Sequence, residues 1–122
     1  MGINKIKGWS LLNVTFLIVA IVFIAFDILT GWTKALATHT TNSSIMRVGL
    51  FHKLGEILAI LFGYGCQYSF PKIGVAIPIP LPEAIATYII LMEVASIIEN
   101  LTKINPQLAE VLNRLFKKGD EK

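Results

Sequence analysis

The stretch "GWSLLNVTFLIVAIVFIAFDILTGW", residues 8–32, decides the fold. From Gly8 to Phe26 it runs for 19 residues without a charge. That is about 28 Å of helix at 1.5 Å per residue, close to the thickness of a bilayer's hydrocarbon core. Trp9 stands at one end and Trp32 beyond the other, where an aromatic belt would place them. The run is longer than the apolar region of a secretory signal peptide, and no small-x-small cleavage site follows it. It reads as an uncleaved transmembrane helix over residues 10–29. The helix closes on an acid, Asp27, and an ionised carboxylate in hydrocarbon is costly unless it finds water or a partner. The expected position for Asp27 is therefore the last turn, at the interface. There it is a solvated acid that ends the span, a partner for Lys34, Arg47 or Lys53 in the connection that follows, or both.

Composition agrees with a membrane setting. The chain has 122 residues, of which 54% are hydrophobic and 16% charged, whereas soluble domains are about a quarter charged. One cysteine, Cys66, excludes an internal disulfide and any zinc site built from several thiols. The net charge of +3 is small and scattered, which argues against nucleic acid as a partner. There is no Gly-rich phosphate loop, His-Glu-x-x-His pair or Gly-x-Ser-x-Gly elbow. His39 and His52 stand alone. The reading is a non-enzyme, with no catalytic residue, no metal site and no cofactor.

Outward from the first span, residues 30–53 form a basic polar connection holding Lys34, Arg47 and Lys53. Its "THTTNSS" run, residues 38–44, breaks the apolar pattern, and Ser43 or Ser44 is placed to cap a following helix. A second crossing is expected over residues 54–70. Its charge-free part is short, so Glu56 lies near an interface or inside a bundle. Gly55, Ala59 and Gly63 recur at spacing four. They form either a helix-packing ridge or the ordinary small residues of membrane helices.

Four prolines within "PKIGVAIPIPLPE", residues 71–83, forbid a regular helix. Residues 71–82 then form an extended turn near the surface or a short re-entrant segment. A third crossing covers residues 83–102, with Pro82 suited to its start. In the tail, Asn105 caps a helix opened by Pro106. Leu108, Val111, Leu112, Leu115 and Phe116 give this helix, residues 106–118, one apolar face. The expected fold is an all-α membrane protein. It has three transmembrane helices and a C-terminal amphipathic interfacial helix, in one domain over residues 1–122.

With three crossings, the N-terminus and the Pro-rich turn share one side, with Lys5, Lys7 and Lys72. The first connection and the tail share the other, with eight basic residues: Lys34, Arg47, Lys53, Lys103, Arg114, Lys117, Lys118 and Lys122. The positive-inside rule puts the N-terminus outside and the C-terminus in the cytoplasm.

The third span carries an acid near its middle. Glu93, Ser96, Asn100 and Lys103 step by three and four residues along one helical face, with Glu99 beside them. Intramembrane acids face a bundle interior or a water path. Three readings stay open. Glu93 is protonated or hydrogen-bonded between helices, or lines an aqueous lesion made by several copies, or relays protons or cations. One chain with three thin helices cannot enclose a wide pathway, so anything larger than an ion needs many copies.

Two blocks resemble the phage lysis and toxin-secretion holin family of Gram-positive bacteria and their phages. The first is "DILTGWTKALATHTTNSSIMRVGLFHKLGEIL", residues 27–58, with matching positions Asp27, Thr30, Gly31, Ala35, Ser43, Ser44, Arg47, Gly49 and Lys53. The second is "EVASIIENLTKINPQL", residues 93–108, matching at Glu93, Ser96, Glu99, Asn100 and Pro106. The family pattern often has an acid late in the second crossing, and "GYGCQYSFP", residues 63–71, has none. The resemblance implies a small multi-span protein of the bacterial cytoplasmic membrane. Such a protein accumulates as a homo-oligomer of many copies and permeabilises the bilayer at a set time. A peptidoglycan hydrolase or a toxin then escapes, without necessary direct contact. An antiholin, a small multidrug-type transporter and an accessory subunit are the alternatives.

Overall fold

The apolar runs near the start and end of the chain each form one unbroken helix, and a third helix returns between them. The structure is a computed structural model, and it describes the backbone of residues 2–120 and the side chains of residues 14–108 and 110–115. Helix α1 is Gly2–Ala37, α2 is Ser43–Ser69, α3 is Leu81–Ile104 and α4 is Pro106–Asp120, with a 3-10 turn at Phe70–Ile73. No strand occurs among the described residues.

The expected connection over residues 30–53 is mostly helix, and only residues 38–42 are not. Asp27 is therefore not in a last turn, because α1 continues ten residues beyond it, about 15 Å at 1.5 Å per residue. The threonines just past the expected end of the span are held within the helix. Their hydroxyls donate back to carbonyls four residues earlier, Thr30 to Phe26 at 2.9 Å and Thr33 to Leu29 at 2.8 Å.

The true end is a two-bond cap. The N–H of Thr40 donates to the carbonyl of Ala35 at 2.9 Å and that of His39 to Leu36 at 3.4 Å, with His39 left-handed at φ 55°. The N-cap of α2 is Asn42 rather than Ser43 or Ser44. Its side-chain oxygen accepts from the N–H groups of Ser44 at 3.0 Å and Ile45 at 3.2 Å. The second turn closes the same way through Gly74, at φ 83°, after which residues 75–80 run without regular structure to Pro82 in the first turn of α3.

Helix directions follow from which residues meet. Ala20 and Ile24 of α1 share a buried core with Ala86 and Ile89 of α3, and Asp27 meets Ser96 and Asn100 farther along. Numbers rise together, so α1 and α3 are parallel. On α2, Lys53 meets Glu93, whereas Gly63 lies against Pro82 and Ile85. Here the numbers run oppositely, so α2 is antiparallel to both.

The distribution of residues is inside out relative to a water-soluble protein. Asp27, Glu93 and Asn100 are 6%, 2% and 5% exposed, while Phe62 is 70% and Leu91 64% exposed. A surface of this kind suits hydrocarbon as its solvent. Two described helices, Val14–Ala37 and Leu81–Ile104, are long and apolar enough to cross a membrane. Helix α2 is not among them, and its apolar part carries Lys53 and Glu56.

Candidate functional site

The site lies where the three long helices meet, and its centre is the ammonium of Lys53. Lys53 Nζ donates to both carboxylate oxygens of Glu93, at 2.8 and 2.7 Å, and to Oδ2 of Asp27. Glu56, one turn along α2, brings a third carboxylate to 3.6 Å. The other Asp27 oxygen, Oδ1, accepts from Ser96 Oγ at 2.8 Å and Asn100 Nδ2 at 2.9 Å. The second amide hydrogen of Asn100 goes to Thr30 Oγ1 at 3.0 Å, and Thr30 passes its own proton to the Phe26 carbonyl. Every link from Phe26 to Glu93 is thus a hydrogen bond with a defined donor. Such a network is the condition for tolerating charge in a low-dielectric interior. One ammonium faces three carboxylates.

Each side chain is where its helix must put it. On α3, Glu93, Ser96 and Asn100 are successive turns of one face, and that face lies along α1. Gly31 of α1 sits opposite Asn100, where a Cβ would lie 3.6 Å from Nδ2. The polar stripe divides beyond this point. Glu99 and Lys103 face outward and pair with each other at 3.5 Å, both exposed. Lys34 is half-buried beside the cluster, Ser43, Ser44 and Arg47 are exposed in the first turns of α2, and Arg47 makes no ion pair among the described residues.

Of the described glycines on α2, only Gly63 is at a close approach. A Cβ there would sit 3.0 Å from Ile85 Cδ1 and 3.2 Å from Pro82 Cα. At Gly55 a Cβ would meet nothing within 4 Å. Two clefts flank Lys53. One of about 450 Å³ separates the end of α1 from the start of α2, bordered by Lys34, Asn42 and Gly49. The other, about 540 Å³, lies between α2 and α3, bordered by Gly55, Ala59, Tyr88 and Met92. Among the described residues no group of His, Cys, Asp and Glu side chains is arranged to hold a metal ion.

A bundle that hides acids around a lysine and shows apolar side chains outward is a membrane protein, and the family comparison says of which kind. The model of the bacteriophage holin family matches residues 6–120. The chain belongs to the bacteriophage holin family. No curated protein and no solved structure matches it. In this chain the two sequence blocks, one around Asp27 and Lys53 and the other around Glu93, converge on one point. Sequence reasoning kept them apart, assigning the first to a loop and the second to a polar face. The missed signal was stoichiometric. Intramembrane acids need a base at their own depth, and Lys53 is the basic residue next to the apolar part of the second helix.

Proposed function

We propose that the chain accumulates in the cytoplasmic membrane of a bacterium as a three-span bundle, N-terminus out and C-terminus in. Copies then oligomerise and permeabilise the membrane, and a peptidoglycan hydrolase or a toxin escapes. Membership of the holin family supports the general reading. The observation that carries it further is the buried polar network of Asp27, Lys53, Glu93, Ser96 and Asn100. It is a hydrophilic seam turned inward in each copy, and in this reading it lines a water-filled lesion once copies repack. Helix α4, with Leu108, Val111 and Leu115 exposed, lies on the membrane surface in this reading. Glu99, Lys103 and the exposed Arg47 are its headgroup-level contacts, and the Gly55–Ala59 surface of α2 is open to a neighbouring helix.

The test is inducible expression beside a cytosolic peptidoglycan hydrolase that lacks an export signal, with membrane potential and culture density recorded together. The expected result is abrupt depolarisation after a delay, and lysis only when the hydrolase is present. Depolarisation without hydrolase release would replace this reading with a small-ion pore or transporter. An unchanged potential would replace it with an inhibitor of another holin or an accessory subunit.

A further inference from the structure

The charge cluster is built from a socket and a plug on different elements. The socket belongs to the parallel pair α1 and α3. Ser96 and Asn100 fix Asp27 through Oδ1, leaving Oδ2 and both Glu93 oxygens aimed at one point. The plug is the Lys53 ammonium, and α2 supplies it. Over the half of α2 nearest the first turn, residues 43–59, no described side chain is fully buried. From that half Lys53 donates hydrogen bonds to Asp27 of α1 and Glu93 of α3. The two clefts show how far this half stands off its neighbours. The far half is fastened differently, through Ile60, Gly63 and Cys66.

This arrangement sets a problem for any lesion lined by the polar face of α3. At Glu93 that face meets the chain's own α2, while Ser96 and Asn100 lie against α1, and withdrawing Lys53 would leave carboxylates without a counter-charge inside hydrocarbon. An identical Lys53 from another copy would solve it, because the same ion pairs and hydrogen bonds form again across the two chains.

The geometry points to an exchange of α2 between copies, in which Lys53 of one chain docks into the Asp27–Glu93 socket of its neighbour as the membrane fills. The inference rests on the permeabilising reading above and names the interface that reading requires. The occupant is a second copy because the segment already seated in the socket is this chain's own α2. The connectors permit it. The five residues 38–42 span about 17 Å when extended, about two of the 8–10 Å spacings between packed helices, which reaches a copy in direct contact, and the irregular stretch after α2 is longer still. Own and neighbouring α2 present the same side chains to the socket, so the balance between them is set by how crowded the copies are. Harmless accumulation followed by a sudden change is what such a balance produces.

The test uses full-length chains lacking the native thiol, Cys66→Ser. One tagged copy carries Ile60→Cys and a differently tagged copy carries Ala86→Cys. Both positions are 0% exposed in the core shared by the three helices. A disulfide between the two tags therefore requires α2 of one chain on α3 of another. Both copies are produced in a bacterium and oxidised before and after depolarisation. The cross-copy product should rise on the order of tenfold or more at onset. Depolarisation with no cross-copy disulfide, while a doubly substituted chain cross-links within itself, overturns the exchange and leaves the permeabilising reading standing. Cross-copy disulfide without depolarisation supports the exchange and removes that reading instead.

A second measurement covers core variants that fail to accumulate. Lys53→Met in one copy and Asp27→Asn with Glu93→Gln in another should each lose or delay depolarisation alone and recover it together. No recovery, with both chains present in the membrane, also overturns the exchange.

Discussion

At the scale of single residues, Lys53 decides whether the interior is neutral enough to exist. Replacing it with Met leaves Asp27 and Glu93 side by side without their shared cation. Removing one partner of a buried pair costs about 3–5 kcal/mol, whereas replacing the whole set with neutral groups is often close to harmless. Lys53→Met should therefore unfold much earlier than the parent in a detergent titration followed by circular dichroism. Adding Asp27→Asn, Glu56→Gln and Glu93→Gln to Lys53→Met, which neutralises the whole set, should return most of the loss. If the single and quadruple variants unfold together, the four side chains do not act as one unit. Asn100 has a smaller and separable part. Its amide donates to Asp27 Oδ1, which Ser96 also serves, and to Thr30 Oγ1, and a hydrogen bond to a charged group contributes about 1.5–3 kcal/mol. Asn100→Leu should fall in that range in the same titration, whereas Lys103→Leu, which breaks only an exposed pair, should cost under about 1 kcal/mol.

At the scale of elements, the small residues of α2 separate by what lies above them. Gly63 faces Pro82 backbone and Ile85, so Gly63→Val should force α2 away from α3 and lower stability by about 1–3 kcal/mol. Gly55→Ala meets open space and gains helix propensity, up to about 1 kcal/mol. It should not destabilise the isolated chain. A loss at Gly55 equal to that at Gly63 would mean the α2–α3 packing differs from that described. His39 is the other informative position, a non-glycine in the left-handed region at the α1 cap. His39→Gly should relieve about 0.5–1 kcal/mol, read as a higher midpoint for unfolding.

The elements were legible from sequence where apolar runs or prolines marked them, as around the third helix and the Pro-rich turn. They were misjudged where polar residues sit inside a helix. "TGWTKALA", residues 30–37, looks like an exit because Thr, Gly and Lys leave hydrocarbon in most contexts, yet its hydroxyls are absorbed by the helix backbone. The cluster was half legible. Asp27 and Glu93 stood out as misplaced charges, and Lys53 is one of the three bases the sequence offers Asp27, but that the same lysine also serves Glu93 needs the directions of three helices, which no local pattern carries.

At the scale of the whole molecule, the proposed third crossing rests on alignment rather than on hydropathy. Between its two contact levels with α3, helix α2 advances from Lys53 to Gly63 while α3 goes back from Glu93 to Pro82. At 1.5 Å per residue these are about 15 Å and about 16.5 Å, so the two helices run nearly side by side in opposite directions. If α3 crosses the bilayer, α2 is carried across with it, although Lys53 and Glu56 weaken its own apolar signal. The charges in its apolar part are the ones that tie it into the bundle. A three-span arrangement therefore puts the 38–42 turn and the Pro-rich turn on opposite faces. In chains lacking the native thiol, Thr41→Cys and Gln107→Cys should resist a membrane-impermeant maleimide applied to intact cells before depolarisation. Val75→Cys should react with it, and all three should react in opened cells. Thr41 and Val75 labelling from the same side would mean that α2 lies along the membrane instead of through it. The socket for Lys53 would then have to form at the surface, where water would make three carboxylates around one ammonium an ordinary arrangement.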